Sequence, residues 1–408
     1  MMNARRFLFL FILLALLTLP FLAAAEEAQD LTAQCTIVAS SKENRITRLS
    51  DRNYSTAFNT EIQRTPSVTV TAPENAPVYG LYLCFGDKLY PWEIQAKRSG
   101  EWQTVYQSEG LYAHEYAPLP EGETEMRLLL ISEKKKAIVL NELYAFGPGD
   151  LPAFVQQWQP APEKADLLVL SAHPDDEVLF FGGTIPTYAG EKGLNVVVAY
   201  MTAGNNCRRS ELLNGLWEMG VRTYPEIGPF WDRYSSQLQS AYSEWGKNKV
   251  HAFVVELLRR YQPEVVVTHD VNGEYGHGAH RLCADAMQHC VITAADPEKF
   301  SDSAEKYGVW QVKKLYLHLY QENAVEMDWD QPLSAFGGRT AYEVAKDGYG
   351  WHVSQHEMGQ KNPDTGKFEV FVVEPRKSKY SCYRFGLAYT TVGPDMEKND
   401  FMENIPGY

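Results

Sequence analysis

The apolar run Asp166-Leu-Leu-Val-Leu170 breaks abruptly into Ser171-Ala-His-Pro-Asp-Asp-Glu177. A short apolar run closed by a polar turn reads as a strand, and one apolar on both faces belongs in a parallel sheet covered by helices. The pattern then repeats. Strands are expected over 166–172, 195–202, 264–269 and 313–320, and amphipathic helices over about 177–190, 208–219, 249–261 and 279–293. Such alternation predicts an α/β fold, a mostly parallel sheet flanked by helices, and ligands of such sheets bind outside the carboxyl ends of the strands.

This Rossmann-like region, 166–408, ends less regularly, with a helix expected from Thr340 to His352 and a strand over 368–373. Residues 35–147 read differently. Short strand-like runs (Val68-Thr-Val70, Leu81–Phe85, Trp92-Glu-Ile94, Trp102–Tyr106, Met126–Ile131, Ile138-Val-Leu140) alternate with turn-formers at Pro73-Glu-Asn75, Ser99-Gly100 and Pro120-Glu-Gly122. Turns about every ten residues indicate an all-β sandwich. A Pro/Gly-rich connector, 148–165, separates the two domains.

Residues 1–25 carry Arg5 and Arg6, an apolar stretch from Phe7 to Phe21, and Ala23-Ala-Ala25 before Glu26. This is the pattern of a secretory signal peptide, and it predicts a secreted or extracytoplasmic protein. If the segment is retained, it anchors the chain in a membrane. Without it, 36 basic residues face 52 acidic ones, a net charge of −16. Such a chain repels phosphate backbones, which excludes nucleic acid as a partner. Among the six cysteines, Cys35 and Cys84 could pair, whereas Cys283 and Cys290, on an expected helix, read as buried thiols.

The chemistry lies at two strand ends. His173, Asp175 and Asp176 follow the first strand, and Gly276-His-Gly-Ala-His280 follows the run Glu264-Val-Val-Val-Thr268. Pro174 restricts the turn, so that His173 and Asp176 can aim at one point while Asp175 points elsewhere. Imidazoles and carboxylates converging there suit a hydrolytic zinc site with an open position for water, and the ligand types also admit Fe2+. Trp231, Tyr234 and Trp245 are either core aromatics or stacking surfaces for a sugar, and His269 either supports the site or is simply buried.

At Ala172-His-Pro-Asp-Asp-Glu177, Arg208-Arg-Ser-Glu211, Met219-Gly-Val221 and Thr268-His-Asp through His280, the chain resembles the PIG-L/LmbE-like zinc-dependent N-deacetylases. Residues about 165–320 carry the likeness, with a weaker one at His352-Val-Ser-Gln355. The resemblance implies that His173, Asp176 and His280 ligate zinc and that Asp175 is the general base and acid. It implies that His277 polarises the acyl oxygen, with Tyr275 near the same oxyanion, and that Arg208 and Asp232 bind substrate. The implied reaction removes the acetyl group from an N-acetylated sugar in a carbohydrate or glycoconjugate. Another amide hydrolysis, as of a cysteinyl-sugar conjugate, or glycan binding without catalysis, stays open. Leu49–Phe58 and Asn141–Gly147 make the first domain resemble the coagulation-factor 5/8 type C, galactose-binding-like jelly roll, which implies either glycan binding or a supporting role.

Overall fold

The computed structural model describes residues 26–358, 360–361, 368–369 and 375–408. The expected export signal and positions 370–373 of the expected strand lie outside the described residues. Among the described residues, no helix is long and apolar enough to cross a membrane.

Two antiparallel sheets form the first half. Strands β1 (Thr36–Ala39), β2 (Phe58–Asn59), β3 (Ser67–Thr71), β4 (Val78–Phe85), β5 (Trp92–Arg98), β6 (Glu101–Ser108), β7 (His114–Glu123), β8 (Glu125–Leu130) and β9 (Val139–Phe146) pair in the orders β1-β3-β8-β5-β6 and β2-β9-β4-β7. Val68, Val70, Leu81, Leu83, Trp92, Ile94, Met126 and Leu128 point inward from alternate positions and fill the sandwich core. The expected turn at Pro120-Glu-Gly122 is instead inside β7. Gly122, at φ +72°, makes a bulge where the β4–β7 register shifts. Cys35 and Cys84 are not bonded, because alternation along β4 sends them apart. Cys35 packs on the inner core, whereas Cys84 joins Tyr82 on the other face of β4. Cys283 and Cys290 are fully buried thiols, as expected.

The second half is a seven-stranded sheet. Its strands are β10 (Leu167–Ser171), β11 (Val196–Tyr200), β12 (Glu226–Ile227), β13 (Val265–Thr268), β14 (Lys314–His318), β15 (Ala324–Glu326) and, after the short β16 (Gln360–Lys361) and β17 (Phe368–Glu369) pair, β18 (Arg384–Thr390). The order is β12-β11-β10-β13-β14-β18-β15. The first five are mutually parallel, and β18 runs antiparallel to both neighbours. Both faces are buried: Leu167 and Val169 pack into one core and Leu168 and Leu170 into the other. The helices are α1 (Asp176–Leu179), α2 (Asn206–Glu218), α3 (Leu238–Trp245), α4 (Lys247–Tyr261), α5 (Gly278–Thr293), α6 (Ser301–Tyr307) and α7 (Ala341–Tyr349).

The helix expected over 177–190 is broken. After α1 the chain passes Gly182 and Gly183 and continues as a π-helical turn, Pro186–Glu191. A Cβ on Gly183 would lie 2.1 Å from the Trp329 ring, and one on Gly182 would lie 2.4 Å from the Val178 carbonyl oxygen. Close packing across this break holds the turn bearing His173–Asp176 against the core. From β10 the sheet grows towards β11 on one side and, later in the chain, towards β13 on the other. That reversal opens a crevice at the carboxyl ends of β10 and β13, where both sequence motifs emerge.

The connector is packed rather than free. Val155, Gln156 and Trp158 are buried between the sandwich and α2. Gln156 holds His114 of β7 and Asn214 of α2 at 3.0 and 2.7 Å.

Candidate metal centre and catalytic pocket

β10 ends at Ser171, whose hydroxyl donates to the His173 carbonyl, and the chain turns so that Asp176 folds back on His173. Asp176 Oδ2 accepts from the His173 backbone N–H at 2.9 Å and lies 3.0 Å from its Nδ1. From the end of β13, a loop and one 3-10 turn (Glu274–Gly276) lead into α5, which presents His280 3.2 Å from the same carboxylate oxygen. His173 Nε2 and His280 Nε2 are buried and without hydrogen-bond partners. Once deprotonated, these two nitrogens make with the Asp176 carboxylate a donor set of the kind that holds Zn2+ or Fe2+.

Among the described residues, two triads have donor atoms within 4.8 Å of one another: His173, His277, His280 and Asp176, His269, His280. They share His280, so the three ligands implied by resemblance are divided between them and joined by the His173–Asp176 contact. His277 Nδ1 accepts from the Ala279 backbone N–H at 3.2 Å. Its ring proton therefore belongs on Nε2 in the neutral form, making that atom a donor rather than a ligand.

Asp175 occupies φ +99°, where its backbone N–H donates to Glu177 Oε2 at 2.8 Å. Its carboxylate is turned from the ligand cluster towards Arg208, 3.3 Å away. Arg208, in the first turn of α2, also donates to the Pro174 carbonyl and lies 3.0 Å from Asp232. Asp232 reaches to 3.8 Å from His173 Nε2. The neighbouring Arg209 points away and donates to the carbonyls of Phe85 and Asp87 in the sandwich at 2.8 and 2.9 Å. Of the two arginines, only Arg208 is brought to the pocket. Tyr275, at φ +45°, places its ring 5.9 Å from that of His277 and 5.4 Å from that of His280.

Residues 168–291 match the family model described as PIG-L: GlcNAc-PI de-N-acetylase. This stretch is a PIG-L domain. Curated relatives include 1D-myo-inositol 2-acetamido-2-deoxy-alpha-D-glucopyranoside deacetylase 1 of Frankia casuarinae, 30% identical over 202 residues, covering 41% of this chain and 64% of that one. The deacetylase of the same compound from Rhodococcus opacus is 32% identical over 188 residues, 39% of this chain and 63% of that one. The chain thus spans less than two thirds of the length of these relatives. Similar solved structures include N,N'-diacetylchitobiose deacetylase from Pyrococcus horikoshii (17% identity, 52% of this chain, 84% of that chain, TM-score 0.34). Another is the family 32 CBM from C. perfringens NanJ in complex with galactose (16% identity, 29% of this chain, 98% of that chain, TM-score 0.26).

Within the PIG-L domain, electrostatics separate the two adjacent aspartates. Burial and the neighbouring Asp176 push Asp175 well above the ordinary carboxylate range, against the pull of Arg208. Burial would raise Asp176 too, but His280 and His173 outweigh it and hold Asp176 well below that range. His280 loses basicity to burial and regains more from Asp176 and Glu274, reaching about 10. Burial, with His280 and His173 nearby, pushes His277 down to about 3, so it is neutral at pH 7.

Four supporting residues, Glu274, His318, Glu177 and His352, had no role assigned from the sequence. Glu274 is fully buried, and its Oε2 contacts His280 Nδ1 at 2.8 Å and His269 Nδ1 at 2.9 Å. Its Oε1 contacts His318 Nδ1 at 2.6 Å, from the end of β14. Glu177, which holds Asp175, is itself held by buried His352 at 3.0 Å. His269 supports the site, taking the Ala172 N–H on Nε2 at 3.0 Å. The sequence signal was the unusual density of acids and histidines directly after β13. Their convergence on Glu274 had no signature in spacing.

Proposed function

We propose that this protein is an exported, metal-dependent N-deacetylase that hydrolyses the acetamide of an N-acetylglucosaminyl group in a glycan or glycoconjugate. The observation that supports this most is the buried His173–Asp176–His280 cluster in a PIG-L domain, with Asp175 beside it but turned out of it. The relatives' deacetylation of a 2-acetamido sugar points to the same substrate class.

His173, Asp176 and His280 would hold Zn2+ or Fe2+, which supplies an electrophile for the acyl oxygen and lowers the pKa of water to about 7. Asp175 takes the proton of the attacking water on its carboxylate, and its raised proton affinity suits that role. It returns the proton to the nitrogen as the C–N bond breaks, releasing acetate and the amine. His277 Nε2–H, neutral and oriented by Ala279, donates to the oxyanion with Tyr275 alongside; one such donor is worth about 3 kcal/mol. Arg208 and Asp232, held against each other at the rim, bind the sugar hydroxyls.

The sandwich packs on α2 and on Tyr224, whose hydroxyl accepts from the Ala113 N–H at 3.1 Å. His114 Nε2 meets Ser210 at 3.2 Å, and Arg209 caps two sandwich carbonyls. These contacts favour a positioning role for this domain. Glycan binding on its remaining surface is compatible with them.

The zinc-loaded protein is expected to release acetate from N-acetylglucosaminyl sugars. In Asp175→Asn, kcat should fall by about 10²- to 10⁴-fold while metal content is retained. Wild-type turnover by that variant would exclude Asp175 as the base. Release of a different acid from a panel of amides would favour the other amidase reading.

A further inference from the structure

The segment between β12 and α3 has no regular secondary structure, yet it is fastened at both ends. Phe230 packs on Trp245 and Phe253 at ring distances of 5.2 and 5.7 Å, and Trp245 Nε1 donates to the Trp231 carbonyl at 2.9 Å. Further on, the Ser235 carbonyl accepts from Gly278 N–H at 2.7 Å, at the start of α5. Between these anchors Asp232 turns into the pocket towards Arg208 and His173. Trp245, one of the aromatics singled out in the sequence, is therefore core, at 6% exposure.

The same anchoring leaves Trp231 83% and Tyr234 71% exposed, the two most exposed aromatic side chains among the described residues. Single exposed apolar residues are ordinary on a protein surface. These two flank Asp232, and the Tyr234 ring stands edge-on to His277 at 5.0 Å. They thus continue the pocket outward from the group assigned to the acyl oxygen. Aromatic faces carry negative quadrupole charge and attract the weakly positive C–H bonds of a pyranose face, while Asp232 beside them offers an acceptor for hydroxyls.

Resting on the deacetylase reading above, we propose that Trp231 and Tyr234 form a stacking platform for the sugar rings adjoining the one that is deacetylated. The substrate class is then an oligosaccharide or polysaccharide of N-acetylated hexosamines, rather than a single sugar on a small aglycone. The platform also explains why one loop supplies both a pocket-facing carboxylate and two outward aromatics.

The test uses the full metal-loaded protein and N-acetylglucosamine oligomers of one to five units, with acetate release as the readout. Wild-type kcat/KM should rise about tenfold from the monomer to the tetramer. In Trp231→Ala and Tyr234→Ala the tetramer-to-monomer ratio should fall towards one. Equal wild-type kcat/KM for monomer and tetramer, or an undiminished ratio in both variants, overturns the platform and leaves the deacetylase reading standing. Quenching of wild-type tryptophan fluorescence by the tetramer, lost in Trp231→Ala, reports the platform independently of turnover. If no oligomer yields acetate yet this quenching is seen, the deacetylase reading fails and the platform stands. If neither is seen, or if anionic vesicles quench and the tetramer does not, the platform is overturned.

Discussion

Asp175 and Asp176 are chemically identical and adjacent, yet they have opposite proton affinities. One backbone angle is responsible. At φ +99° the chain reverses between them, so Asp176 faces two imidazoles while Asp175 faces a desolvated wall and one guanidinium. A non-glycine residue there is strained, and the Glu177–His352 pair that grips its N–H is what maintains it. Glu274 has a comparable duty towards His280. Glu274→Gln keeps the shape, but its amide nitrogen cannot accept from an imidazole N–H. Zinc affinity, read by chelator competition, should fall about 10- to 100-fold, with folding retained by circular dichroism. Unchanged affinity would reduce Glu274 to a packing role. His173, Asp175 and Asp176 were legible because they are contiguous and follow a strand. Glu274–His318 and Glu177–His352 were not, since the partners are 44 and 175 residues apart and meet only where β13 pairs with β14 and where α1 packs against α7.

At the scale of elements, each central strand was readable from its apolar run, because burial on both faces demands such composition. β18 was not: it is an antiparallel strand whose pairing with β14 depends on tail packing rather than on its own pattern. The expected helix after the first motif failed for a related reason. Gly182 and Gly183 accept the Val178 carbonyl and the Trp329 ring at distances that only a missing side chain allows. Gly183→Ala should therefore destabilise the protein by about 1–3 kcal/mol in denaturant unfolding, because neither Trp329 nor the motif turn can yield. It should also lower zinc affinity. A neutral effect would mean that the packing between α1 and Trp329 is dispensable to the site.

For the whole molecule, the informative group is His114, buried between the sandwich, the connector and α2. Burial first, and then Arg209, push its pKa from 6.5 down to about 3 in the folded state. The folded protein therefore keeps it neutral, whereas the unfolded chain takes up a proton below pH 6.5. Its contribution to stability is complete above that pH and is lost as pH falls towards 3. Between pH 7.5 and 5, wild type should lose about 2 kcal/mol more than His114→Gln in urea unfolding. Parallel pH profiles for the two proteins would show that His114 is hydrated or partnered when charged. Export, and the fate of residues 1–25, would be read from the amino terminus of protein recovered outside the cytoplasm.

The two domain types, the strand-end location of the pocket and the residue types within it follow from local pattern alone. Apolar periodicity and turn chemistry act over a few residues, and so they are written along the chain. The tertiary structure alone decided which two of the three candidate aromatics remain exposed, and that three histidines converge on one buried glutamate. Those outcomes depend on which surfaces meet when distant segments pack, and no spacing within the sequence carries that information.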